Sequence, residues 1–276
     1  MRKRRGDMPK YVGKCPSLRE ADLYTGCPFN CVYCIGKQRH SEEVRPTDRE
    51  REIFDSPLSD VPLYLSPWTD PYPPCEEEYC RTGSLVRHLS GTGQPFYIIT
   101  RSLLVRRDID LIRNSTRSFV GISLNTLDDK ITELLEPGAP KAGERAELIR
   151  DLAEMEGLRT VVRIDPIIPG ITDGERLSAL LQWVLSVKPF AIGLETLRMD
   201  GFIASRMRNS LPEAVFDRMI AHYPLPGDVP VHPAEEWRLP LFKQIASMFE
   251  KTDIRACFCR ATLPEQITPW DCRGGY

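Results

Sequence analysis

The chain has 276 residues, 41% of them hydrophobic and 28% charged, with a net charge of −2. That is enough apolar material for one sizeable α/β core, and it excludes a uniformly basic nucleic-acid coat while leaving a local basic patch open. Mean hydropathy is −0.31 and no apolar run approaches the ~18 residues needed to cross a bilayer, so no membrane partner is expected.

Residues 1–19 begin Met1-Arg2-Lys3-Arg4-Arg5 and add Lys10 and Lys14. This basic arm leads into no apolar stretch, so it does not read as a secretory signal, and the cytoplasm is the expected compartment. Nucleic-acid contact and a solvated tail are both open for it. From 20 to 200 the pattern alternates. Apolar, β-branched or aromatic runs bounded by breakers predict strands at 22–25, 62–66, 96–100, 119–125, 160–165 and 190–194. Helical patterns fall between them at 34–45, 77–89, 107–114, 143–155 and 173–187, the last two with clear apolar stripes. Six strand–helix repeats predict a parallel sheet with right-handed crossovers, open or curled into part of a (β/α)6 barrel. Ligands of such sheets gather at the C-terminal ends of the strands. From 201 to 276 the rhythm breaks into helical patches near 212–222 and 241–251 and a tail bearing Pro, Trp and Cys, read as a C-terminal extension.

The chain holds nine Cys. In a reducing compartment, their tight clustering asks for a metal rather than a disulfide scaffold. Gly26-Cys27-Pro28-Phe29-Asn30-Cys31-Val32-Tyr33-Cys34 gives C-x3-C-x2-C directly after the first predicted strand. Three thiolates in such a loop can converge on one small object. A [4Fe–4S] cube normally takes four, so three leave one iron open to chelate a small molecule. His40, six residues on, keeps a Cys3His zinc site as an alternative, and inert core thiols are the other. The spacing, with Tyr33 before the last Cys, resembles the signature of the radical S-adenosylmethionine (SAM) superfamily. The resemblance implies a cluster on Cys27, Cys31 and Cys34 whose open iron is chelated by the amino and carboxylate groups of SAM. An electron from the cluster then cleaves SAM to methionine and a 5′-deoxyadenosyl radical that takes a hydrogen atom from a substrate.

The other predicted strands run into polar residues: Ser66 to Tyr72, Thr100-Arg101-Ser102, Ser123 to Thr126, Asp165 to Gly170, and Glu195 to Arg198. One such ending reads as a turn or cap; five in succession read as a pocket rim. Thr69-Asp70-Pro71-Tyr72, Thr100-Arg101-Ser102 followed by Arg107-Asp108, Glu136-Pro137 before Arg145, and Asp165-Pro-Ile-Ile-Pro-Gly resemble the spore photoproduct lyase-like branch of the superfamily, over about 20–200. That likeness implies that Thr69 and Asp70 take the methionine amino group of SAM, where many relatives use Gly-Gly-Glu. Arg101, where the branch often has Lys, would hold the carboxylate or ribose with Ser123. Arg145 would add a second carboxylate contact and Asp165 would flank the adenosine, with Tyr33, Ser66 and Asn125 completing the cofactor rim. Opposite charges on a zwitterion make that assignment physically reasonable.

Six cysteines are left. Cys257, Cys259 and Cys272, with Cys15, Cys75 or Cys80 as a fourth, are candidates for a second Fe–S cluster. Cys75, Cys80 and Cys272 are also candidate hydrogen-atom donors to a product radical, and inert packing is the third reading. The expected protein is a cytoplasmic radical SAM enzyme (a lyase, oxidoreductase or transferase according to substrate) fed by a low-potential donor of the flavodoxin or ferredoxin type. Its substrate is a nucleic acid or nucleotide, or else a biosynthetic peptide or small molecule. The reading from another class is a non-catalytic Fe–S or zinc protein associated with nucleic acid.

Overall fold

The computed structural model describes residues 19–258. Seven strands form one parallel sheet in chain order: β1 (Arg19–Ala21), β2 (Leu63–Leu65), β3 (Phe96–Thr100), β4 (Phe119–Ser123), β5 (Thr160–Ile167), β6 (Ala191–Thr196) and β7 (Arg255–Phe258). Ten helices accompany them among the described residues: α1 (Arg49–Phe54), α2 (Glu76–Tyr79), α3 (Arg81–Thr92), α4 (Ile109–Arg113), α5 (Asp129–Leu135), α6 (Ala142–Ala153), α7 (Gly174–Val187), α8 (Gly201–Ser210), α9 (Glu213–Ile220) and α10 (Glu235–Phe249). Parallel strands laid down in sequence order, each returning through helix, wind in one sense. This is a partial barrel whose edges are β1 and β7.

Period-2 alternation sorts the strand residues by face. Leu63, Leu65, Ile98, Val120, Ile122, Val162, Ile164, Ile192 and Leu194 share one buried core with Leu85 and Leu89 of α3, Leu148 and Leu152 of α6, Leu180 and Val184 of α7, and Phe242 of α10. Each such side chain contributes roughly 1.5–3 kcal/mol on burial. The alternate positions, in register from strand to strand, make the concave face: Glu20, Tyr64, Ile99, Gly121, Ser123, Arg163, Gly193 and Cys257. Gly193 is small for a reason, because a Cβ there would lie 2.8 Å from Nη1 of Arg163. The concave side is therefore hollowed, with a pocket of about 430 Å³ that sets Arg159 and Arg163 among apolar Ile99, Phe119 and Val161.

β3 falls on its predicted residues, while β2, α6 and α7 fall within two residues of theirs. The barrel has one strand more than the six expected, because β7 at four residues (Arg-Ala-Cys-Phe) is too short to show a period. Cys257 thus belongs to the sheet. The first strand lies earlier than 22–25, since Asp22 turns its carboxylate to the backbone N–H of Trp68 and the chain leaves the ladder. The helix expected at 34–45 is a single 3-10 turn, Ile35–Gln38, because Thr25 draws the chain back through Ser41 N–H to Thr25 C=O (2.9 Å) and Thr25 N–H to Arg45 C=O (2.9 Å). The helix expected at 77–89 is broken at Cys80, which is left-handed (φ 52°). α5 and α8 carry too few periodic apolar residues to be seen in the sequence.

Candidate cluster and cofactor site

Cys27, Cys31 and Cys34 line one pocket of about 350 Å³ together with Lys37, His40, Trp68, Thr69, Asp70 and Arg101. It opens where β1, β2 and β3 end, as parallel sheets dictate. The cysteine loop rests on the segment after α5: Val32 N–H donates to Leu135 C=O (2.9 Å) and Gly138 N–H to Phe29 C=O (3.0 Å). A Cβ at Gly138 would lie 2.5 Å from Pro28 O and 2.9 Å from Phe29 Cα, so only glycine admits this approach. From the other side α8 sends Arg206, whose Nη2 donates to Cys31 C=O (3.1 Å) and Nε to Val32 C=O (3.3 Å). A second apolar core encloses the loop: Phe29, Val32, Leu135, Ile168, Ile203, Met207 and Phe216.

Burial pushes the Cys31 thiol up to about 12 and that of Cys27 higher still. Binding of iron would therefore displace protons from the thiols. Three soft sulfur donors in one pocket suit iron–sulfur ligation. Among the described residues, no three His, Cys, Asp or Glu side chains close on a single metal ion. His40 sets Nε2 at 2.7 Å from Trp68 C=O. Burial lowers its pKa, and its Nδ1 is buried with no hydrogen-bond partner.

Asp70 is buried, and its Oδ1 accepts from Thr100 Oγ1 (2.6 Å) and Tyr72 N–H (2.9 Å), while Oδ2 accepts from Arg101 N–H (2.9 Å). Burial raises its pKa against the pull of those donors. Thr69 donates to Asp22 Oδ1 (3.2 Å). Ser66 is left-handed (φ 53°), and its hydroxyl accepts from Leu23 N–H (3.2 Å). Asp22 was read in the sequence as a strand residue, and it turns out to organise the loop after β2.

Behind the pocket lies a buried polar network. Glu136, just past α5, accepts from the Tyr33 hydroxyl and from Asn125 Nδ2 (3.0 Å) on Oε1, and the same oxygen is ion-paired with the Arg101 guanidinium, 3.2 Å from Nε but without a hydrogen bond to it. Its Oε2 takes Arg145 Nη2 at 2.6 Å. Tyr33 Oη accepts in turn from Arg101 Nη2 (2.9 Å) and Asn125 Nδ2 (2.9 Å). Burial alone would raise the Glu136 carboxyl, yet the Arg145 and Arg101 guanidinium groups hold it down at about 2. Arg145, expected at the SAM carboxylate, is 1% exposed and spends its other Nη on Ser123 C=O (2.7 Å), one layer behind the pocket wall. Asn125 Oδ1 accepts from Asp165 N–H (2.9 Å), and the Asp165 carboxylate pairs with Arg163 (2.6 Å). Glu136 enters the sequence reading only as part of the motif ahead of Arg145, with no role of its own; the fold supplies that role.

The remaining cysteines scatter. Cys75 precedes α2 and packs on the helical side of the sheet, and Cys80 is exposed between α2 and α3. Neither lines the pocket with the three clustered thiols. Cys257 lies on the concave face beside Gly193. Cys15, Cys259 and Cys272 lie outside the described residues.

The sequence profile of the Radical SAM superfamily matches residues 22–182. An uncharacterized protein of Methanocaldococcus jannaschii is 25% identical over 160 residues, 55% of this chain and 61% of that one. The radical SAM Nα-GlyT isomerase of Pseudomonas phage M6 is 26% identical over 185 residues, 62% of this chain and 38% of that one. The chain thus spans less than two thirds of the length of either. Among solved structures, spore photoproduct lyase complexed with dinucleoside spore photoproduct superposes with a TM-score of 0.61 at 16% identity, covering 85% of this chain and 74% of the lyase. Streptococcus suis SuiB bound to S-adenosylmethionine superposes with a TM-score of 0.57 at 13% identity, covering 87% and 50%. These likenesses give the fold. With the profile spanning the cysteine loop and strands β2 to β5, the chain belongs to the Radical SAM superfamily.

Proposed function

We propose that this protein is a radical SAM enzyme that holds a [4Fe–4S] cluster on Cys27, Cys31 and Cys34 and binds SAM beside it. The observation that carries this reading is a single pocket lined by those three thiols and by the guanidinium of Arg101. When bound, the cluster supplies the electron that cleaves the SAM sulfonium to methionine and a 5′-deoxyadenosyl radical.

The chain's own groups orient the cofactor. Arg101 has Nη2 bonded to Tyr33 and its guanidinium ion-paired with Glu136, leaving Nη1 for the methionine carboxylate as a charge-assisted bond. Asp70 Oδ2 accepts one backbone N–H and keeps a lone pair for the amino group, with Thr69 beside it. Ser123, Asn125 and Asp165, at the ends of β4 and β5, face the nucleoside. Arg145 acts in this scheme by bracing Glu136. The hollowed concave face takes the substrate and keeps water from the reacting centre.

For the substrate we favour a nucleotide or nucleic acid. Trp68, on the rim of the same pocket, carries the guanidinium of Arg39 at 3.7 Å from its ring centroid, an aromatic-plus-cation pairing of the kind that receives a base. The dinucleoside complex of the lyase that shares the fold points the same way. A low-potential flavodoxin- or ferredoxin-type donor is the reductant this chemistry calls for.

Anaerobic reconstitution followed by incubation with SAM and dithionite tests the reading. 5′-Deoxyadenosine is expected. A cluster-loaded protein that forms none is a binding protein instead. About four irons per chain mean one cubane, and about eight would place a second on the remaining cysteines. Binding to single-stranded DNA or RNA that weakens steeply with salt supports the nucleic-acid substrate, and none at low salt leaves the peptide or small-molecule class.

A further inference from the structure

Glu136 lies in no wall of the cysteine pocket, yet it touches two parts of the site that belong to different elements. Its Oε1 accepts from the Tyr33 hydroxyl of the cysteine loop, that hydroxyl accepts from Arg101 Nη2, and the same carboxylate is ion-paired with the Arg101 guanidinium at the end of β3. Its neighbours on either side, Leu135 and Gly138, carry the backbone bonds on which the same loop rests. The carboxylate is 3% exposed and accepts from a hydroxyl, an amide and the Arg145 guanidinium, with Arg101 as a second ion-pair partner. An arginine has several staggered side-chain torsions. Arg101 would be free to swing in the pocket were Nη2 not bonded to Tyr33 and the guanidinium not ion-paired with Glu136.

We infer that Glu136 is a positioning residue that aims Arg101 at the SAM carboxylate, by its own charge and through the Tyr33 hydroxyl that both side chains share, with Arg145 as the brace that keeps Glu136 in place. This rests on the proposed radical SAM reading. The pocket would then meet the two ends of the chelated amino acid, iron on one side and guanidinium on the other, at a preset separation.

The test is a double-mutant cycle on SAM affinity, read by equilibrium dialysis of the reconstituted protein and by the change that SAM causes in the EPR spectrum of the reduced cluster. Glu136→Gln keeps the shape and one acceptor but removes the charge. SAM binding is expected to weaken about tenfold or more, the scale for loss of an orienting outer-shell partner, with iron content unchanged. In an Arg101→Met background, Glu136→Gln should cost no further affinity, because it acts through that arginine. A purely structural role would instead add its loss to that of Arg101→Met. Because Glu136→Gln strands the buried cation of Arg145, the charge-matched pair Glu136→Gln/Arg145→Met is measured alongside, and it is expected to fold and to show the same weakened SAM binding. Unchanged SAM affinity in both variants, or additive losses in the cycle, overturns the inference while the parent reading stands. A reconstituted wild type that binds no SAM overturns both.

Discussion

Gly138 shows how one residue decides whether the cysteine loop has a seat. Its missing side chain lets the loop carbonyls at Pro28 and Phe29 approach to 2.5 and 3.0 Å of where a Cβ would stand. Gly138→Ala would push on backbone rather than on a flexible side chain, so the loop itself must move. A loss of ~2 kcal/mol or more is expected, together with lower iron content after reconstitution, measured by a denaturant melt and an iron assay. Gly143, inside α6 and 3.9 Å from its nearest neighbour, the Asp129 carboxylate, is the control. There an alanine should be neutral or stabilising by up to ~1 kcal/mol. Were both substitutions to behave alike, the seat would have no special role. Legibility at this scale follows sequence separation. The cysteine triplet can be read from the chain because its members are neighbours. The contacts that support it cannot: Glu136 stands 103 residues from Tyr33, and Arg206 stands 175 from Cys31. Arg145 was legible as a charged residue near the site, but its depth depends on Glu136, which only the fold supplies.

Among the elements, the junction of α2 and α3 shows why the helix expected at 77–89 is broken. Glu76, fully buried at the start of α2, accepts the N–H groups of Thr82 and Gly83 (both 2.9 Å), the free donors that open α3. It also takes the Tyr24 hydroxyl and Arg107 Nη2 (2.5 Å). One carboxylate thereby joins the segment between β1 and the cysteines, the first turn of α3 and the 3-10 turn after β3. Glu76→Ala leaves a phenol and two amides without their acceptor and takes one of its two carboxylate partners from Arg107, which keeps Asp108. The expected loss is ~1–3 kcal/mol in urea unfolding, the scale for buried donors left unsatisfied, with Glu76→Gln losing less; an alanine variant as stable as wild type would mean that the junction is held by its apolar contacts alone. The Arg107-Asp108 pair was visible in the sequence as part of a motif, and its physical sense is this clasp. Long stripes such as those of α6 and α7 were legible because 3.6-residue periodicity needs several turns to declare itself. β7, with four residues, and α5, with seven, are shorter than that signal.

For the molecule as a whole, the described residues pack around two cores of different character. The larger lies between the sheet and helices α3, α4, α6, α7 and α10, and it contains none of the three clustered cysteines. The smaller includes Cys31 and Tyr33, with Cys27 and Cys34 packed against it, and draws its other members from α5, the turn after β5, and α8 and α9. Ligation of the three thiols would tie the loop internally, and whatever binds only the folded site stabilises it by mass action. That stabilisation should be local, because the loop communicates with the sheet mainly through the Glu136 network, whereas it is surrounded on its other sides by the smaller core. Hydrogen exchange compared between iron-loaded and chelator-stripped protein measures it. Removing iron should speed exchange in residues 29–36, 131–139 and 199–219 while amides of β2 to β5 keep their rates, the pattern of a subglobal opening. Uniform acceleration through the sheet would show instead that the two cores open as one, and that α8 and α9 depend on the barrel rather than on the loaded cysteine loop.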